Sequence, residues 1–353
     1  MKEIKNGRKV KKKQSIRKIF LIVISIIIVP ILMFVGLFHN EIATIASIKK
    51  VGNLPFYEMK YYGGYSFDKY IEKGASSEEE LESFIKNNLA YGLLDGWDEI
   101  YDFQGCAVFT ATTPEGDRIF AKNFDYPYTI PVVIETNPKN SYQSIAMGSY
   151  AFFGWNNDTD DTKMKSKLTT LAAPYLIVDG MNEKGLAVST LTLEGSKAPV
   201  DKDKKTFFDI TILRYILDKA GTVEEALEII SQYNIALYKN YPSHFIFADA
   251  TGDSIIIEFV NKEMKVIDQE KDYQIITNHQ LYNNPNPRRG CKRYSYFERT
   301  LTASNGILTV EEALELLHSQ ANRQFWSVVY NLTQRTVAVT FHNDLETVYY
   351  YEI

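Results

Sequence analysis

A Gly-Cys pair with a carboxylate nineteen positions beyond the Cys is the arrangement in this chain best suited to chemistry: Gly105, Cys106 and Asp125. A thiol is a strong nucleophile once deprotonated, and a nearby carboxylate can orient it or hold a cation beside it. Two β-prone apolar runs, Ala107–Thr112 and Ile119–Phe124, flank a Pro-Glu-Gly turn sequence. Pro presets a turn and Gly tolerates positive φ, so the stretch predicts a β-hairpin. With the turn centred between Glu115 and Gly116, Cys106 faces Asp125 across the ladder, side chains a few ångströms apart. The competing reading of Cys106 is a small buried hydrophobe.

Further residues stand in a telling order. Lys122-Asn123-Phe124-Asp125 closes the hairpin, and Asp179-Gly180-Met181-Asn182-Glu183-Lys184-Gly185-Leu186 follows. Then come Thr277-Asn278 and, at the head of a late helix, Arg293. Together these motifs resemble the choloylglycine hydrolase and penicillin acyltransferase group, N-terminal-nucleophile (Ntn) hydrolases of linear amides. The resemblance covers roughly residues 100–340. It implies an α+β fold, a four-layer αββα sandwich of two antiparallel sheets covered by helices. It also implies scission between Gly105 and Cys106, with Cys106 then serving as the nucleophile. Its freed α-amine, with a pKa of about 7.7–8.0, would be the base, so no His, metal or cofactor is called for.

By the same resemblance Asp125 holds the terminal ammonium, Asn278 donates to the oxyanion and Arg293 supports the network. Lys122 falls where choloylglycine hydrolases usually carry Arg, which keeps the charge and loses the planar fork. Thr192 stands where bile-salt hydrolases usually have Asn, which argues against bile-salt specificity. Thr192 and Trp155 are candidate substrate or oxyanion contacts. Lys122 and Asp125 differ in strand parity, so aiming both at Cys106 requires a bulge or strand end near Asn123.

The elements that must position these groups can be read along the chain. Residues 40–105 read as mainly helical. Ser77-Glu78-Glu79-Glu80 fits a helix start, with Leu81, Phe84, Ile85 and Leu89 on one face, and Tyr57–Gly74 could be a second helix. Strands are predicted at Thr129–Ile134 and Ser144–Phe153, before a polar loop Asn156–Lys167 that is either a lid or plain surface. A strand–turn–strand follows over Leu176–Thr192, then helices at Phe208–Lys219 and Val223–Tyr233. Further strands are expected at His244–Ala250, Ser254–Val260, Met264–Ile267 and Gln274–Thr277. A helix starts near Lys292, and Ser327–Leu332, Thr336–Phe341 and Thr347–Glu352 form a closing meander. The words Thr-Val-Glu-Glu-Ala-Leu-Glu occur at 222–228 and 309–315; a reused helix-start signal explains them better than a repeat.

Of 353 residues only Cys106 and Cys291 are Cys, and neither a Cys-x-x-Cys nor a His-rich cluster suggests a metal. Residues 1–18 carry nine Lys or Arg against one Glu, and Ile19–Phe38 carries no charge. This pattern predicts a cytoplasmic basic tail, a retained transmembrane anchor over 19–38 and an extracytoplasmic body. A cleaved signal peptide is the alternative. With an overall charge of −5 and +8 on that tail, the rest sums to −13, which disfavours nucleic-acid binding. The expected organisation is tail 1–18, anchor 19–38, helical light chain or propeptide 39–105, and catalytic domain 106–353.

The function expected is hydrolysis of a small-molecule amide with an apolar or aromatic acyl part, through a thioester. Acyl transfer on the same scaffold is a second outcome. A papain-like protease pairing Cys106 or Cys291 with His244 or His279 is a third, and a non-catalytic tethered binding module a fourth.

Overall fold

The computed structural model describes residues 17, 20, 24–52, 56–89, 91–92, 105–126, 128–237, 243–320, 324–342 and 344–353. The basic tail (except Arg17), Gln104 and most of 90–104 lie outside the described residues.

The strands in chain order are β1 (Lys49–Val51), β2 (Phe56–Tyr61), β3 (Ala107–Thr112), β4 (Arg118–Asp125), β5 (Pro131–Thr136), β6 (Ser144–Ser149), β7 (Ile177–Asn182), β8 (Ala187–Thr192) and β9 (Thr206–Phe208). There follow β10 (Asn234–Ala236), β11 (Ser243–Ala248), β12 (Ser254–Val260), β13 (Glu263–Asp268), β14 (Ile275–Thr277), β15 (Gln324–Asn331), β16 (Thr336–Phe341) and β17 (Tyr349–Glu352). They build a nine-stranded sheet, β1-β2-β5-β6-β7-β8-β11-β12-β13, and a six-stranded sheet, β14-β3-β4-β15-β16-β17. Pairing in both is antiparallel except between β2 and β5; β9 and β10 form a small parallel pair apart.

Period-2 alternation explains how β3 and β4 are buried on both faces. Val108, Phe120 and Phe124 join the core shared with the nine-stranded sheet. Phe109, Ala111, Ile119 and Ala121 instead pack with Phe297, Leu301, Leu314 and Leu317 from the helices Lys292–Ala303 and Val310–His318. On the outer side of the larger sheet the helix Asp209–Lys219 lies against β7 and β8. Gly180 permits this close approach, since a Cβ there would sit 2.8 Å from Leu217 Cδ1. The two Thr-Val-Glu-Glu words do start helices: Thr222 and Thr309 each accept from the backbone N–H three residues on.

Two expectations need correction, one in the N-terminal segment and one after β6. Tyr57–Gly74 is not one helix: β2 occupies its first part, and only Phe67–Lys73 is helical. The reading failed because Phe56, Tyr57, Met59 and Tyr61 are all buried by β5 and the sheet core, a long-range pairing that overrides local pattern. The N-terminal segment is therefore partly sheet and not simply helical. Of the stretch 19–38, residues 20 and 24–38 are described, and no single helix among the described residues is long and apolar enough to cross a membrane. Ile24–Leu37 and His39–Ser47 form a pair bent by 70° at Phe38. Finally, Tyr150–Phe153 is a short 3-10 turn that ends β6 early, and part of the polar loop is the helix Met164–Thr169.

Candidate active site

The hairpin register differs by one from the expected one. Thr112 pairs with Arg118 and Ala107 with Asn123, so Asp125 lies beside Gly105 and not opposite Cys106. The cause is the turn. Gly116 N–H donates to the Thr113 carbonyl, Thr113 N–H to the Asp117 carbonyl, and Gly116 has φ +94°. That is a three-residue loop centred on Glu115, with the positive φ such loops require. The irregularity expected near Asn123 also sits elsewhere. β4 runs regularly to Asp125, and the bulge is on the facing strand, where Gln324 pairs with Asp125 but Trp326 with Phe124.

Cys106, immediately before β3, is 1% exposed. Burial pushes its thiol up, Lys122 and Arg293 pull it down, and the Asp125 carboxylate adds to the rise. The Asp125 backbone lies against the sulfur as a hydrogen-bond partner. Gly105 fits tightly here: a Cβ on it would fall 2.1 Å from Asp125 Cβ, so that Asp125 would have to move. Asn123 points the other way and fastens β4 to the helical layer, donating to the Leu317 carbonyl at 2.7 Å.

Lys122 extends from β4 into the space between the sheets. Its Nζ donates to the Val178 carbonyl at 3.0 Å, to Ser189 Oγ at 2.7 Å and to the Thr190 carbonyl at 3.2 Å. It also pairs with Asp179 Oδ2 at 3.2 Å, both side chains fully buried, and Tyr330 donates to Asp179 Oδ1 at 2.5 Å. An ion pair so enclosed has its desolvation offset only by such complete hydrogen bonding.

Arg293, in the first turn of its helix, donates through Nη1 to the carbonyl oxygens of Gly105 and Cys106, the latter at 2.8 Å. Its Nη2 donates to Asn278 Oδ1 at 3.1 Å. Asn278 follows β14 directly and donates through Nδ2 to the Thr192 carbonyl at 2.9 Å. Asn278, Arg293 and Thr192 are half-buried, which leaves this side of the cluster approachable, whereas Cys106, Lys122 and Asp125 are closed off.

The structure thus brings together Gly105, Cys106, Lys122, Asp125, Asn278 and Arg293, with Thr192 contributing its carbonyl. It does not bring Trp155. That indole packs on Tyr57 and Tyr150 and donates to the Ser166 carbonyl and Thr169 Oγ1, so it braces the loop stem. Sequence reasoning does not single out Asp179, Ser189 or Tyr330. The available signal was alternation along β7: Gly180 faces the helix, so Asp179 must face the other sheet.

Cys291 lies apart, immediately before the helix Lys292–Ala303. Burial raises its thiol, but the Thr277 hydroxyl, the Tyr294 backbone and Arg293 bring it below its usual value. Thr277 Oγ1 is also 2.7 Å from His279 Nδ1. Among the described residues no group of three or more His, Cys, Asp or Glu could hold a metal ion.

The family model described as linear amide C–N hydrolases, choloylglycine hydrolase family, matches residues 106–287. A penicillin V acylase of Pectobacterium atrosepticum is 35% identical over 111 residues, 28% of this chain and 29% of that protein. A bile salt hydrolase/transferase of Clostridium perfringens is 28% identical over 178 residues, 46% of this chain and 50% of that protein. The chain therefore spans half or less of these curated relatives. Among solved structures, a variant of the conjugated bile acid hydrolase from Clostridium perfringens superposes with a TM-score of 0.55 at 16% identity, covering 70% of this chain and 92% of that one. The penicillin V acylase from Agrobacterium tumefaciens gives 0.51 at 17%, covering 70% and 86%. At these identities the likeness is one of fold.

Proposed function

The chain belongs to the choloylglycine hydrolase family of linear amide C–N hydrolases, and from that premise we propose that it is an Ntn amide hydrolase whose nucleophile is Cys106, exposed by scission after Gly105. The observation that carries this reading is the grip of Arg293 on the Gly105 and Cys106 carbonyls beside a buried thiol. The family match beginning at Cys106 supports it further. The helices packed outside each of the two sheets also fit the αββα arrangement expected of an Ntn hydrolase.

In scission, the Cys106 sulfur attacks the Gly105 carbonyl carbon while Arg293 stabilises the charge on its oxygen. The carbon–nitrogen bond breaks, the Cys106 nitrogen takes the thiol proton, and a thioester remains. Water hydrolyses it, leaving a carboxylate on Gly105 and a free amine and thiol on Cys106. In turnover that amine accepts the thiol proton, and the thiolate attacks the substrate amide. The Asn278 amide, oriented by the Thr192 carbonyl and Arg293, is the donor assigned to the oxyanion. The ammonium, held by Asp125, protonates the leaving amine, and water then cleaves the acyl thioester. Lys122 keeps positive charge near the sulfur, which favours thiolate.

The substrate proposed is a small amide with an apolar or aromatic acyl group. We place the body outside the cell on a membrane anchor, from the basic tail and the charge-free stretch 19–38. An amine competing with water for the thioester would make the same site a transferase, read by adding hydroxylamine and measuring hydroxamate.

Intact mass with N-terminal sequencing tests the central step. The expected result is two chains, the second starting at Cys106, with Cys106→Ala remaining joined and inactive. An active preparation still joined at 105–106 overturns the proposal. Cys291 beside Thr277 and His279 favours a second reading, thiol chemistry at Cys291. Retention of full activity by Cys291→Ala would exclude it.

A further inference from the structure

Away from the cysteine cluster, His244 on β11 and Glu258 on β12 are both 0% exposed. They stand one step beyond the Phe245–Ile257 pair of the antiparallel ladder, with His244 Nδ1 3.3 Å from Glu258 Oε1. A carboxylate without solvent is costly unless its oxygens are occupied. Here they are: Leu281 N–H donates to Oε1 and Tyr282 N–H to Oε2, each at 2.9 Å. Burial opposes ionisation, yet His244 and these two amides hold the Glu258 carboxyl below its usual range. Burial keeps the His244 imidazole below its own.

The location of these bonds gives them meaning. The second polar neighbour of the His244 ring is the backbone of Thr277, the last residue of β14, which belongs to the opposite sheet. Asn278 comes next, and Leu281 and Tyr282 follow three and four residues later. Glu258, with His244 against it, therefore grips the chain three and four residues after Asn278, while the His244 ring lies by the backbone just before it. Side-chain bonds from Asn278 to Thr192 and Arg293 fix the amide itself. The Glu258–His244 pair fixes the backbone that carries it. Two apolar residues in their place would leave the Leu281 and Tyr282 amides without acceptors.

We propose that Glu258 and His244 are positioning residues for Asn278, clamping the 277–282 turn so that the Asn278 amide meets the developing oxyanion. The inference rests on the amide-hydrolase reading above. His244 acts through the backbone, so its loss weakens catalysis without abolishing it, unlike loss of a general base.

The test is a double-mutant cycle on the mature enzyme with a chromogenic phenylacetyl anilide. Glu258→Gln and His244→Gln are each made alone and with Asn278→Ala. An amide donor displaced by about 1 Å costs roughly 100-fold, so each single variant should lose about 10- to 100-fold in kcat with KM within about twofold. In the Asn278→Ala background the same changes should cost less than about threefold, because the group they position is gone. Two variants are used so that failure of one to fold leaves the other to decide. Multiplicative losses in the Asn278→Ala background, or unchanged kcat in both single variants, overturn the inference. A wild-type enzyme without amide hydrolysis overturns the underlying reading instead.

Discussion

Lys122 and Asp179 meet across the gap between the two sheets, Nζ to Oδ2 3.2 Å, with neither side chain reaching solvent. Removing one member leaves the other charge uncompensated in the core, at a cost of about 3–5 kcal/mol. Lys122→Met or Asp179→Asn should each lower urea-unfolding stability by that order. The double variant should lose clearly less than the two together. Strict additivity would mean that the pair is not coupled.

Asn278→Ala removes the donor fixed by Thr192 and Arg293. Deleting one oxyanion donor costs about 100- to 1000-fold in kcat. That loss is expected with little change in KM, measured by steady-state amide hydrolysis on matured protein. A rise in KM at constant kcat would make Asn278 a substrate-binding residue instead.

Gly105→Ala places a Cβ where Asp125 Cβ already lies, 2.1 Å away. Asp125 must shift, and overpacking of this kind costs about 1–3 kcal/mol. Scission should slow markedly, followed by intact mass over time after purification. Scission at the wild-type rate would show that the Gly105–Asp125 contact is dispensable.

The two thiols should separate by pH. Burial raises Cys106, so in chain still joined at 105–106 its thiolate share stays small below the ordinary thiol range and grows only at higher pH. The Thr277 hydroxyl, the Tyr294 backbone and Arg293 outweigh burial at Cys291, so its thiolate forms earlier as pH rises. Iodoacetamide labelling between pH 6 and 9, read by peptide mass, should modify Cys291 first. Equal rates, or Cys106 leading, would contradict this.

Much of the site could be read because its residues lie in short words: Gly105-Cys106, the run ending at Asp125, Asn278, and Arg293 at a helix start. The strands β7, β8, β12 and β16 and the helices that follow Thr222 and Thr309 were also legible, since alternation and caps are local signals. What escaped depends on distance in sequence. The hairpin register turned on one residue of loop length, which Pro and Gly alone do not specify. β2 looked helical because its partner β5 lies seventy-odd residues later. The role of Asp179 is not local, because the Lys that neutralises it comes from the other sheet. Trp155, a candidate substrate or oxyanion contact by sequence, gives its indole N–H to the Ser166 carbonyl and Thr169 Oγ1.

β2 occupies an interior place in the nine-stranded sheet, between β1 and β5, and Tyr65 donates a hydrogen bond to Asp218 in the helix on that sheet's outer side. A nick at residue 105 would therefore yield two polypeptides that travel as one particle. Refolding them from urea would become a second-order search, its rate rising with protein concentration, whereas the unnicked precursor would regain its fold at a rate independent of dilution.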